Sequence, residues 1–366
     1  MILKNRLTLT FALLATVAST AIIAGASAAT VYTETNSVAG NAVQIYRNAP
    51  DGSLALASEV STGGSGTDGG LGSQGALALS KSGRWLFAVN AGSNEISAFK
   101  VTAQGLVLAS KVNSAGIMPI SLSVHDDLLY VLNAGGEGNI SGFHLGSEGN
   151  LKAIANSTRP LSSTKSGGAQ VEFNHDGDML VVTEKAANKI SVYRLDGDTA
   201  TGPVAYPSNG KTPFGFEFDR RGNLLVSEAF GGAPGASAIS SYELGDDPAL
   251  LQSISASVPT HQSATCWVTV ARHGHYAYVT NTGSGTITGF RVNRDGALTS
   301  LNADGVTGVT GGSPTDAAVG GDNQTLYVLS ANIGKIVMFK VRADGSIVNL
   351  GSALGTPLSA AGLAAR

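Results

Sequence analysis

Two glutamates stand where a polar side chain is least expected, at the ends of the apolar runs Met179-Leu-Val-Val-Thr-Glu184 and Leu224-Leu-Val-Ser-Glu228. A carboxylate at the rim of a cleft can take a proton from water as a general base, and two close together raise the proton affinity of one of them. Attack of water on a carbonyl also needs a donor or cation for the developing oxyanion. Lys185 follows Glu184 directly, and Lys165, Lys211, Arg159 and His261 fall in neighbouring polar loops; the plainer reading of each is a solvated loop charge. Positions equivalent to the glutamates elsewhere hold Asn36, Asn90, Asn133, Asn281 and Ser330, which either contact a ligand or cap their loops by bonding the backbone. Gln74 and Gln170 offer amides at the same end of their strands, and Trp267 offers a ring that could stack on a sugar.

The elements that position these residues repeat. The stretch Tyr276–Arg291, YAYVTNTGSGTITGFR, recurs seven times, with aromatic anchors at Tyr46, Phe99, Phe143, Tyr193, Tyr242, Phe290 and Phe339. Successive anchors are 53, 44, 50, 49, 48 and 49 residues apart by subtraction. A strand-built unit of that length cannot bury its own apolar face, so it must stack on copies of itself, as propeller blades do. Within each repeat the order is a small-residue strand A, a polar turn, strand B ending in Asn or Glu, a Gly-rich loop, strand C with Ile-x-x-Phe/Tyr, and strand D. The expected fold is an all-β, seven-bladed propeller over residues 29–366. The first repeat lacks strand A, and Thr356–Ala361 resembles the openings of other A strands, so the C-terminal strand is expected to pair into blade 1 and close the ring.

Strands that alternate in direction put the B-to-C loops and D-to-A connections on one face. Those connections are long, as in STGGSGTDGGLGSQ and NSTRPLSSTKSGG, so the site is expected on that face, around the channel mouth. His125, His175, His273 and His275 then fall in A-to-B turns on the opposite face.

Residues 1–28 carry Lys4 and Arg6, an apolar run Leu7–Ala24 and then Ala26-Ser27-Ala28, the pattern of a cleaved secretory signal peptide. A secreted or periplasmic protein without a transmembrane anchor is expected, and a monomer. Charged residues make up 13% of the chain and the net charge is −3, which offers no field for nucleic acid. Cys266 is the single cysteine, so no intrachain disulfide is possible, and it reads as a buried filler. His273-Gly274-His275 lacks acidic or thiol partners nearby in sequence, so neither a metal nor a cofactor is expected.

The repeat resembles known families. Tyr278-Val279-Thr280-Asn281 is the motif of YVTN-repeat proteins, often found at the cell surface. A strands running into x-F-x-x-D-G (Val171–Gly177, and more loosely Phe216–Gly222), followed by strand B and Asn or Glu, look like the lactonase propellers, which include 6-phosphogluconolactonase and the carboxymuconate lactonizing enzyme (a cyclase). That resemblance implies a hydrolase or cyclase acting on a sugar or organic-acid lactone; on their own chemistry Glu184 and Glu228 are the expected base and acid and Lys185 the electrostatic help. Family members with activity tend to carry Pro-Arg-His at an A strand and Asn-Glu after a B strand; here the first stretch is Pro213-Phe214-Gly215 and the second is absent. The YVTN resemblance implies the alternative, a non-catalytic surface or periplasmic propeller that binds a glycan or protein.

Overall fold

The structure is a computed structural model that describes residues 29–49, 51–246 and 250–366. The proposed signal segment 1–28 lies outside the described residues. Strands of alternating apolar residues build seven antiparallel sheets of four or five strands. From the channel outwards, blade 4 runs Gly168–Phe173, Met179–Glu184, Lys189–Asp196 and Thr199–Pro207. Blade 5 runs Pro213–Phe218, Leu224–Glu228, Ala238–Leu244 and Leu251–Pro259. The innermost strands of blades 2, 3, 6 and 7 are Leu77–Leu79, Pro119–His125, Thr265–Ala271 and Asp316–Val319. Among the described residues the helical elements are the single 3-10 turns Phe230–Gly232 and Ala331–Ile333, and no helix is long and apolar enough to cross a membrane.

Every aromatic anchor is at most 2% exposed, and each fills the gap between its own blade and a neighbour. Phe99 of blade 2 shares a core cluster with Tyr32, Val43 and Ile45 of blade 1. Phe290 of blade 6 packs with Leu225 and Ile239 of blade 5, and Phe339 of blade 7 with Tyr278 and Ile287 of blade 6. Burying such a ring stabilises by roughly 1.5–3 kcal/mol, and no blade gains it alone.

The ring closes as expected. Ala361–Ala365 pairs antiparallel with Thr30–Glu34, joining Val31 to Ala365 and Tyr32 to Ala364. The amide of Thr30 donates to the Arg366 carbonyl at 3.1 Å and that of Arg366 to the Thr30 carbonyl at 3.0 Å, while Thr33 Oγ1 donates to the Gly362 carbonyl at 2.8 Å. Deleting residues 356–366 uncovers the Thr30–Glu34 edge and removes the wall of the channel there. We expect the melting temperature to fall by more than about 10 °C, read by calorimetry; an unchanged melt contradicts the seam.

Candidate functional site

The long connection between blades 1 and 2, residues 62–76, lies across the channel on the face of the long loops. Its Ser73 carbonyl accepts from Trp267 Nε1 at 2.9 Å on blade 6, and Ser73 Oγ donates to the Ile120 carbonyl at 2.8 Å on blade 3. The Gln74 amide N–H reaches the Ala169 carbonyl of blade 4 at 3.2 Å. Its side chain brackets the free edge of blade 6, Oε1 accepting from the Val268 N–H at 3.0 Å and Nε2 donating to the Val268 carbonyl at 2.8 Å. A segment that leaves blade 1 and touches blades 3, 4 and 6 must cross the axis. It plugs that mouth.

Gly215 is part of the same fit. A Cβ there would stand 2.1 Å from Gln74 Oε1 and 2.6 Å from the Cys266 carbonyl, so no larger residue fits beside the plug. Phe214 stacks at a tilt on Trp267, with centroids 5.1 Å apart. Lys185 Nζ donates to the Gly72 carbonyl and stands 4.8 Å over the Phe214 ring. Burial lowers the pKa of Lys185 and pushes the Cys266 thiol up to about 12, so the thiol is inert as a nucleophile.

This packing corrects the expected location of the sequence-derived candidates. Glu184 and Glu228 do not open on a mouth; both are fully buried. Glu184 accepts from the Ser162 N–H at 3.0 Å, Ser162 Oγ at 2.5 Å and Ser191 Oγ at 2.6 Å. Glu228 accepts from the Gly210 N–H at 2.8 Å, Ser240 Oγ at 2.5 Å and Ser257 Oγ at 2.7 Å. The two networks share no residue. Each clasps a strand end to the incoming connection and to the next strand, as the buried asparagines do. Asn90 holds Thr62 and Ser97 at 2.6 and 2.8 Å, Asn281 holds Thr265 and Thr288 at 2.6 and 2.9 Å, and Asn133 donates to the Ser114 carbonyl at 3.1 Å. In blade 1 the equivalent place falls to Thr35, whose amide donates to the Ala42 carbonyl at 2.8 Å and whose Oγ1 accepts from the Ala42 N–H at 3.0 Å, one residue before Asn36. Trp267 is buried in the plug contact and unavailable for stacking on a ligand, while His261 is exposed on the long-loop face, away from the channel's open end.

The open end is the other one. A cavity of about 680 Å³ occupies the channel below the plug, with Gln74 and Gln170 at its blind end and His175, Arg220 and His273, from A-to-B turns, at its mouth. That volume suits a small ligand. Glu172 and Glu217 line its wall from the innermost strands of blades 4 and 5, at places that hold Ala78, Ser123, Thr269 and Ala318 in blades 2, 3, 6 and 7. The two carboxyls share a hydrogen bond across the blade boundary. Burial and the adjoining Glu217 charge drive Glu172 well above the carboxylate range. Burial lifts Glu217 to about 7, against hydrogen bonds from Glu172 and the Phe218 N–H. Asp316 lines the opposite wall and is also raised by burial, against hydrogen bonds from the Ala317 and Leu363 amides. The described residues contain no cluster of three or more side chains suited to a metal.

Sequence reasoning passed over Glu172 and Glu217 because both lie inside stretches, V-E-F and F-E-F, that read as architecture. The available signal was an acidic residue in mid-strand on the innermost ribbon, where a side chain meets the channel and not a core.

A family profile described as "Lactonase, 7-bladed beta-propeller" matches residues 31–159, 137–230 and 229–358. No curated protein gives a significant match. Among solved structures, a periplasmic gluconolactonase from Pseudomonas aeruginosa is 18% identical over 90% of this chain and 98% of its own, with a TM-score of 0.70. A Bacteroides fragilis protein assigned provisionally as a 6-phosphogluconolactonase is 16% identical over 93% and 98%, with a TM-score of 0.72. A Lactobacillus plantarum protein is 16% identical over 93% and 99%, with a TM-score of 0.73. At these identities the likeness is one of fold.

If Glu184 and Glu228 are braces, the variant carrying both Glu184→Gln and Glu228→Gln binds ligand and turns over substrate within about threefold of the parent, whereas Glu228→Ala, which strands three donors, loses about 3 kcal/mol in urea unfolding. Abolished turnover in a folded double-Gln variant contradicts this.

Proposed function

The chain belongs to the lactonase family of seven-bladed β-propellers, and on that premise we propose that it is an exported hydrolase acting on a small sugar or organic-acid lactone in the lower channel. The observation that carries the reading is the hydrogen-bonded Glu172–Glu217 pair on the wall of a blind cavity of ligand size. Export rests on the signal-like residues 1–28, and the periplasmic gluconolactonase of similar fold supports both the compartment and the substrate class.

In the proposed reaction Glu217, ionised, takes a proton from water as its oxygen bonds to the lactone carbonyl carbon. The tetrahedral intermediate collapses with cleavage of the ring C–O bond, and the Glu172 proton passes to the leaving ring oxygen. The hydroxy acid departs, and the proton gained by Glu217 returns to Glu172 along their shared hydrogen bond, which restores the starting state. One fewer charge on the pair at rest is what two adjoining carboxyls in a poorly solvated wall favour. Arg220, at the mouth, faces an entering anionic substituent.

The plugged upper mouth and the Phe214-Gly215 replacement favour a second reading, a propeller that binds a glycan or organic acid in this cavity without turning it over. The pH dependence separates the two. Glu217 acts in its ionised form and its proton affinity is raised, so kcat/KM climbs as pH rises through about 7. Folding stability runs the other way: the folded state holds this proton more tightly than the unfolded chain, so the pair's contribution is full below the ordinary value of 4.5 and declines as pH rises to about 7. Glu217→Gln should lower kcat by about 10²-fold or more with little change in KM, measured on a panel of aldonolactones. Turnover undiminished in that variant removes Glu217 as the base, and no turnover of any lactone leaves the binding reading.

A further inference from the structure

Gln170 has an amide that cannot turn over. Its Oε1 accepts from the Phe216 N–H at 2.7 Å and its Nε2 donates to the Phe216 carbonyl at 3.0 Å, so it pairs with the free inner edge of blade 5 as a strand would. Exchanging the two ends would set N–H against N–H and oxygen against oxygen. The remaining Nε2 hydrogen therefore has a fixed direction, and it meets Glu172 Oε2 at 2.9 Å. Because side chains two residues apart in a strand share a face, Gln170 and Glu172 both lie against blade 5, next to Glu217.

We infer that Gln170 is a positioning residue that selects which oxygen of Glu172 can hold the shared proton, by committing Oε2 of Glu172 to accept from its amide and leaving the other oxygen to carry the proton toward Glu217. The direction of the bond follows from backbone geometry. Glu217 adjoins Glu172 across the blade boundary and is the partner that the remaining Glu172 oxygen meets. Other titratable or charged groups around the cavity are Asp316 on the far wall and His175, Arg220 and His273 at the mouth; none of them has a hydrogen bond to Glu172.

The catalytic part of this inference rests on the proposed lactonase reading, but its core is tested without turnover. In the full chain carrying 15N-labelled glutamine and 13C-labelled glutamate carboxyls, the side-chain amide signal of Gln170 should move with the same midpoint as the Glu172–Glu217 carboxyl signals. A Gln170 amide indifferent to that titration overturns the inference, and this measurement needs no variant. Gln170→Met removes the donor, and the upper step of the pair should rise by about one pH unit. In a Glu172→Gln background the same replacement should leave the Glu217 midpoint in place. A role confined to bracing Phe216 would lower the melting temperature alike in both backgrounds and leave the midpoint unmoved in both, which contradicts the proposal. A lactone assay then reports separately: a co-titrating pair without turnover sinks the lactonase reading and spares the assignment of the proton.

Discussion

Seven strands face the channel with one edge each unpaired, and the molecule depends on how those edges are satisfied. A backbone N–H or carbonyl left without a partner and out of water costs about as much as a lost hydrogen bond. In blades 3 to 6 such partners are supplied from outside the blade. Ser121 and Ser123 of blade 3 accept from Val171 and Phe173 of blade 4 at 3.1 and 3.2 Å, Gln170 of blade 4 brackets Phe216 of blade 5, and Gln74 reaches Val268 of blade 6. The Gly75 carbonyl accepts from the Leu122 N–H at 2.8 Å. The ring is therefore tied twice, outside by aromatic anchors that span two blades and inside by polar side chains laid on bare edges.

That inner tie also decides where chemistry can occur. One of the bracketing side chains, Gln74, belongs to a connection and not to a regular strand, so satisfying blade 6 drags residues 62–76 across the axis. Gly215 admits Gln74, Trp267 fixes Ser73, and Lys185 holds Gly72. The replacement of Pro-Arg-His by Pro213-Phe214-Gly215 and the closure of the upper mouth are thus one packing solution. The space left is the lower channel, and its wall is where two innermost strands carry a glutamate in place of Ala, Ser or Thr.

The ring itself was legible from the chain because its determinants are local and repeated: anchors about one blade apart, period-two strands, and a tail that resembles the openings of other innermost strands. The seam at Ala361–Ala365 follows from the same pattern. The site was not legible, because burial of Glu184 depends on Ser162, Ser191 and the path of a connection, none of which a periodic reading ranks. An acidic residue closing a strand looks like a rim residue until the loop that covers it is placed. Glu172 and Glu217 are the converse: mid-strand residues that would be core in any strand but the innermost. Gln74 and Gln170 satisfy backbone groups, the plainer of their two readings, and they border the blind end of the lower cavity instead of an open mouth on the long-loop face.

The central claim is that ligand binds in the blind lower channel, against Glu172 and Glu217, and enters from the side of the short turns. The most direct measurement is a crystal structure of the protein soaked with an aldonolactone or its hydroxy-acid product. The account predicts ligand density between blades 4 and 5 in contact with both carboxyls and beneath an intact 62–76 plug. Density at the opposite mouth, beside Lys185 with the plug displaced, would contradict it.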